Sequence, residues 1–208
     1  MYVIGLTGGI GSGKSTVAAM LAEKGAAVLN VDQVGWEVYR PGGPAYQPLM
    51  DAFGQEIIAP DGSVDRKKLG AIVFADPEAL RRLNAITHPI MMETMKERLT
   101  ELAEAGTQIA VVEAAILLET GWDALVDEVW VTAAPPEAVV ERLGRDKGMS
   151  REAAMARISA QLSNEERVRR ARVVIDTGCS LAETRRIVDK GWEDLQARCR
   201  AASSGRAL

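Results

Sequence analysis

The chain has 208 residues, 47% of them hydrophobic and 26% charged, with a net charge of −4. That is the composition of a soluble globular domain able to bury a sizeable core, and it carries no overall basic signature for nucleic acid. No apolar run reaches the roughly 18 residues of a membrane helix, the first strand begins too early for a signal peptide, and Cys179 and Cys199 lack metal-ligand spacing. The expectation is a reduced, cytoplasmic monomer.

Val3 to Leu6 reads as a buried strand. Gly8-x-x-x-x-Gly13-Lys14-Ser15 follows and fits the Walker A pattern. A helix is predicted from Lys14 to about Lys24, with Gly25 as its left-handed ending. Ala26 to Val31 is a second strand, closing at Asp32. A helix over Gln33–Tyr39 is broken by Pro41-Gly42-Gly43-Pro44, and a short one covers Tyr46–Phe53. From Asp65 to Gly106 the pattern is helical in at least three pieces. Asp65 caps the first, Asp76-Pro77-Glu78 starts the second, and His88-Pro89 marks the next boundary.

Ile109 to Val112 is the third strand and ends in Glu113, after which Ile116–Glu119 reads as a short helix. Glu128 to Thr132 is the fourth strand. A helix carrying Val139, Val140 and Leu143 on one face ends at Gly148, and Ser150 caps the next. Val173 to Ile175 is the fifth strand. Ser180 caps a last helix, Leu181 to about Arg198, and 201–208 reads as a flexible tail. Strands alternating with helices predict an α/β fold: a five-stranded parallel sheet with helices on both faces, in three layers.

The glycine-rich loop sits between a strand and a helix, where its chemistry requires it. Its backbone N–H groups can form a nest around a polyphosphate, and the following helix adds unpaired N–H donors. Lys14 would reach the β- and γ-phosphates, and the Ser15 hydroxyl would sit on Mg²⁺. Asp32, at the sheet edge where open α/β sheets bind ligands, is a candidate general base or orienting group; the alternative is that it merely caps the next helix. Glu113 resembles a strand-end carboxylate that acts on Mg²⁺, often through water, or is an ordinary strand-end acid. Eight arginines lie from Arg142 to Arg172. Arg142 and Arg145, nearest the sheet edge, are candidate phosphoryl contacts on a mobile lid. The others read as a solvated face, because Glu137, Glu141, Glu152, Glu165 and Glu166 interleave with them.

Together these residues resemble the dephospho-CoA kinase family. The likeness runs through Ile4 to Thr16, Val31-Asp32, Pro41 to Ala45 and Asp61 to Leu69. It continues through Leu83 to Pro89, Leu117 to Glu119, Arg142-Leu143-x-x-Arg145-Asp146, Gln161 and Val174 to Asp176. Asn30, Ala115-Ile116 and Arg172 depart from the family pattern. The resemblance implies a P-loop NTPase fold like that of nucleoside-monophosphate kinases. Its parts are a core (about 1–32, 107–135 and 171–200), a helical substrate subdomain (about 33–106) and a lid (about 140–170). It implies ATP-dependent phosphorylation of the ribose 3′-hydroxyl of dephospho-CoA. Gly11, Ser12, Gly13, Lys14, Ser15, Thr16 and Arg145 would hold ATP, and Ser15 and Glu113 would serve Mg²⁺. Lys14, Asp32 and Arg142 would be catalytic. Thr7, Asp32, Arg66 and His88 would face the substrate, with His88 equally readable as a structural His-Pro boundary. The partner is then a small molecule, not nucleic acid or a membrane.

Three rivals remain open on sequence. One is a P-loop kinase for a nucleoside, nucleotide or sugar. Another is a GTPase-like switch, although Asn-Lys-x-Asp and a following Asp-x-x-Gly are missing. The third is a nucleic-acid binder using the arginine stretch, which the acidic balance disfavours.

Overall fold

The computed structural model describes residues 1–204. Five strands form one parallel sheet in the order β2-β3-β1-β4-β5. They are β1 (Tyr2–Gly8), β2 (Ala27–Asn30), β3 (Ile109–Glu113), β4 (Glu128–Ala133) and β5 (Val173–Asp176). β1 is central and pairs with β3 on one side and β4 on the other, Leu6 lying opposite both Glu113 and Trp130. The chain therefore changes sides across β1. That leaves a crevice beyond its C-terminal end, which is where ligands bind in open α/β sheets.

The chain divides into two compact units, one comprising Met1–Leu29 with residues from Leu102 onward, the other Asn30–Glu101. In the first unit, α1 (Lys14–Glu23) and α9 (Leu181–Ser204) bury one face of the sheet. Ile4, Leu6, Val17, Leu21, Val111, Trp130, Ile175, Val188 and Leu195 form that core. α1 ends as its sequence predicts: Gly25, at φ 95°, lets its own N–H and that of Ala26 reach the carbonyls of Ala22 and Leu21. α9 begins with a reciprocal cap, the Ser180 and Glu183 side chains each serving the other's backbone N–H. It runs on to Ser204 rather than stopping near Arg198. Arg198 helps hold its later turns, its Nη2 donating to both Glu128 oxygens at 2.7 Å. The expected tail at 201–208 is thus helical as far as Ser204, and residues 205–208 lie outside the described part.

α6 (Pro136–Lys147), α7 (Arg151–Ser159) and α8 (Asn164–Arg170) follow β4. Val139, Val140, Leu143 and Ala154 form a small core there, with Ile10 of the glycine-rich loop packed against it. Gly148 (φ 61°) closes α6, and Ser150 caps α7 through the Ala153 N–H. The helix expected at Ile116–Glu119 is instead a turn, followed by a 3₁₀ helix over Trp122–Leu125.

The second unit is helical: α2 (Val31–Val38), α3 (Tyr46–Phe53), α4 (Arg66–Ala75) and α5 (Pro77–Glu104). Asp65 caps α4, accepting the Lys67 and Lys68 N–H groups at 3.0 and 3.1 Å. The boundary expected at His88-Pro89 does not exist, because α5 is one 28-residue helix with Pro89 inside it. Thr87, Met91, Met95 and Leu99 are buried at four-residue spacing on a continuous face. Burying that face outweighs the local cost of a proline, about 3 kcal/mol.

Candidate active site

The loop between β1 and α1 is shaped by its glycines. Gly11 (φ 67°) and Gly13 (φ 80°) adopt the left-handed region, and Gly13 stands at the N-cap of α1. A Cβ on Gly8 would collide with Thr132 and with Ser12 Oγ. The loop is braced from below. Ser12 and Thr132 share a buried hydrogen bond of 2.7 Å between their hydroxyls. Thr132 Oγ1 also donates to the Thr7 carbonyl (3.3 Å), and Thr177 Oγ1 to the Ser12 carbonyl (2.8 Å). Ser12 N–H is used within the loop, bonded to the Gly9 carbonyl at 3.2 Å. The Ser12 side chain is therefore part of the scaffold.

Lys14 curls over the loop, its Nζ donating to the carbonyls of Gly8 (3.0 Å) and Gly9 (3.4 Å). Ser15 Oγ donates to Glu113 Oε1 at 2.8 Å. Glu113 is almost fully buried at the end of β3. Two hard oxygens so placed beside a phosphate loop fit Mg²⁺, which takes one or two protein oxygens and completes its shell with phosphate and water. No cluster of three or more His, Cys, Asp or Glu exists among the described residues, and this mode of binding needs none.

Arg142, on α6, is seated on the loop, with Nη1 3.4 Å from the Gly11 carbonyl and Nη2 bonded to the Thr177 carbonyl. It lines a cavity of about 350 Å³ with Gly13, Thr16, Arg145, Thr177 and Leu181. Arg145 is exposed and holds Asp146 at 2.7 Å. That hydrogen-bonded pairing raises the guanidinium's pKa and lowers the carboxyl's. Thr7 lies at the C-terminal end of β1, beside the loop. It is fully buried, and its hydroxyl donates to the Ala115 carbonyl at 3.4 Å, towards the turn after β3.

The arginine stretch also needs correction. Arg167, read as part of a solvated face, is 1% exposed. Its Nη2 pairs with Glu119 Oε1 at 3.0 Å, and Nη1 donates to the Leu162 carbonyl. Nearby, Gln161 Oε1 accepts the Ile10 N–H of the loop at 2.8 Å, and Asn164 Nδ2 donates to the Ala134 carbonyl at 3.2 Å. The flanking glutamates hid this in the sequence, because alternating charge on a short helix reads as solvent-facing.

The helical unit carries its own group. Asp32 is exposed in the first turn of α2 and does not cap it. Asn30 does, accepting the Gln33 N–H at 3.1 Å. This gives the Asn30 departure a physical role, and β2 ends one residue earlier than expected. The Arg66 guanidinium lies 4.5 Å from the centroid of the half-exposed Trp36 ring. Tyr39 is within electrostatic reach of both Arg66 and Asp32, and burial pushes its phenol up. Trp36 and Tyr39 were not singled out in the sequence; an aromatic near Asp32 on α2 was the available signal. His88 lies mid-helix on α5, and burial lowers its imidazole's pKa.

A five-stranded parallel sheet, a strand–glycine loop–helix anion nest, and Lys14, Ser15 and Glu113 converging on it define a P-loop kinase. The sequence comparisons give the family. The dephospho-CoA kinase family model matches residues 2–183. The dephospho-CoA kinase of Geobacter sulfurreducens is 45% identical over 192 residues, 92% of this chain and 98% of that protein. The chain belongs to the dephospho-CoA kinase family. Among solved structures, TT1252 of Thermus thermophilus superposes with a TM-score of 0.80 at 33% identity, covering 95% of this chain and 97% of that one. The dephospho-CoA kinase of Campylobacter jejuni gives 0.71 at 26% identity, covering 93% and 96%.

Proposed function

We propose that this chain transfers the γ-phosphoryl group of ATP to the ribose 3′-hydroxyl of dephospho-CoA, giving coenzyme A and ADP. The observation that carries the acceptor is the extent of the family match. It spans the whole Asn30–Glu101 unit as well as the phosphate loop, and loops of this kind are shared among kinases with many acceptors.

The loop amides and the N-terminus of α1 hold the ATP phosphates. Lys14 shifts from the Gly8 and Gly9 carbonyls to the β- and γ-phosphates. Gly11, Gly13, Ser15 and Thr16 line the phosphate end, with Ser12 bracing the loop from beneath. Ser15 and Glu113 would hold Mg²⁺, which when bound would neutralise charge on the phosphates. Asp32 takes the proton of the 3′-hydroxyl as its oxygen bonds to the γ-phosphorus and the bond to the β,γ-bridging oxygen breaks. Arg142 leaves the Gly11 and Thr177 carbonyls to stabilise charge on the transferring oxygens, with Arg145 beside it at the nucleotide. Residues of about 140–170 act as the lid that closes over this step. Arg66 and His88 contact the substrate in the helical subdomain, and Thr7, bonded to the Ala115 carbonyl, lies on the acceptor side of the loop. The working unit is a cytoplasmic monomer acting on a small molecule.

An acceptor panel with labelled ATP tests this. Label should pass to dephospho-CoA and not to a nucleoside, a nucleoside monophosphate or a sugar acid. Preferential transfer to one of those would overturn the assignment.

A further inference from the structure

We propose that Arg167 is a positioning residue for phosphate transfer. It acts through Gln161 to fix the Gly9–Ile10 end of the phosphate loop. The inference rests on the kinase reading above.

Four observations meet at this point. Arg167 is 1% exposed, and its Nε has no hydrogen-bond partner among the described residues. A buried donor left unmade in a native fold calls for a reason. Its two terminal nitrogens tie together separate segments, the Leu162 carbonyl at the exit of α7 and Glu119 in the turn after β3. A Cβ built on Gly9 would lie 3.5 Å from Gln161 Oε1, 3.6 Å from Arg167 Nη1 and 4.0 Å from Asn164 Oδ1. These polar side chains thus bracket the open side of one loop glycine. Finally, Gln161 Oε1 holds the Ile10 N–H at 2.8 Å. This is the direct grip on the loop, and Leu162, the next residue, is what Arg167 holds.

The arrangement has consequences for the loop. Ile10 also packs against the α6–α7 core, so the same residue is gripped by backbone through Gln161 and by side chain through that core. A cavity of about 580 Å³, lined by Gly9, Ile10, Ser12, Gln161, Asn164 and Arg167 among others, lies beside it. Without the bracket, Gly9 and Ile10 have room to shift, and the loop amides no longer point where the phosphates need them. Misplacing reacting groups by about 1 Å can cost two powers of ten in rate. A guanidinium serves here because its planar fork reaches a carbonyl and a carboxylate at once.

The test compares the intact protein with Arg167→Met, Arg167→Lys, Gln161→Leu, the double variant Arg167→Met with Gln161→Leu, and Arg198→Met as a control. CoA formation is followed at saturating substrates, well below each melting temperature. Arg167→Met should lower kcat about 30-fold or more, with KM for dephospho-CoA within about twofold. Arg167→Lys should fall between Met and wild type. Because Arg167 acts through Gln161, the double variant should lose no more than the worse single one. Arg198→Met, at the other end of the sheet, should melt lower with kcat unchanged. Arg167→Met that melts lower yet keeps wild-type kcat would overturn the inference. If Arg167→Met does not fold, Gln161→Leu decides: wild-type kcat there also overturns it. A wild-type protein that forms no CoA defeats the kinase reading itself, whereas wild-type turnover with unaffected variants defeats only this inference.

Discussion

Replacing Thr132 with valine keeps the branched shape and removes one hydroxyl. That hydroxyl is fully buried, 2.7 Å from Ser12 Oγ and 3.3 Å from the Thr7 carbonyl. Ser12 is itself 3% exposed. The valine therefore leaves the nearly buried Ser12 hydroxyl without its partner, which costs about 1–3 kcal/mol. In a domain of this size each kcal/mol moves Tm by about 2–4 °C, so Thr132→Val should melt about 2–12 °C lower. Urea titration followed by tryptophan fluorescence should give a lower midpoint with an unchanged slope. Removing both partners abolishes the stranded group. Ser12→Ala combined with Thr132→Val should accordingly regain most of the loss, to within about 1 kcal/mol of wild type. Wild-type stability in Thr132→Val, or losses in the double variant that simply sum, would refute the claim that this pair braces the loop.

Other substitutions probe the remaining parts. Lys14→Ala should nearly abolish phosphoryl transfer while circular dichroism and Tm stay those of the wild type; unchanged turnover would sink the role of the loop. Asp32→Asn should lower kcat far more than it raises KM for ATP, and an effect confined to ATP KM would remove Asp32 from the acceptor side. Tyr2 donates to Glu128 Oε2 at 2.9 Å, and burial together with that bond raises its phenol to about 12. The folded state then binds the phenolic proton more tightly than the unfolded chain. The resulting stability is complete below the usual tyrosine range near 10 and is lost as pH rises towards 12. Tyr2→Phe should flatten that alkaline decline in a melt series, and an unchanged slope would contradict it.

Much of this was legible in the sequence because local chemistry settled it. Gly8 to Ser15 could hardly be another motif, and Gly25, Asp65, Gly148 and Ser150 end or cap helices where their residue types predict. What was not legible depended on packing across the chain. Pro89 reads as a boundary until Thr87, Met91, Met95 and Leu99 are seen buried along one face. The burial of Thr7 and its bond to the Ala115 carbonyl likewise depend on a turn more than 100 residues away. Arg167 follows Glu165 and Glu166 in an arginine-rich stretch and reads as solvated, but its partner Glu119 is 48 residues away. Asp32 was found as a candidate, while the cap expected of it belongs to Asn30.

The most direct test of the central claim is to incubate the purified protein with Mg·ATP and dephospho-CoA and to look for coenzyme A by mass. The account predicts coenzyme A and ADP in equal amounts, only when both substrates are present, and none with Lys14→Ala. ATP bound or hydrolysed without coenzyme A would leave the phosphate loop standing and contradict the proposed acceptor.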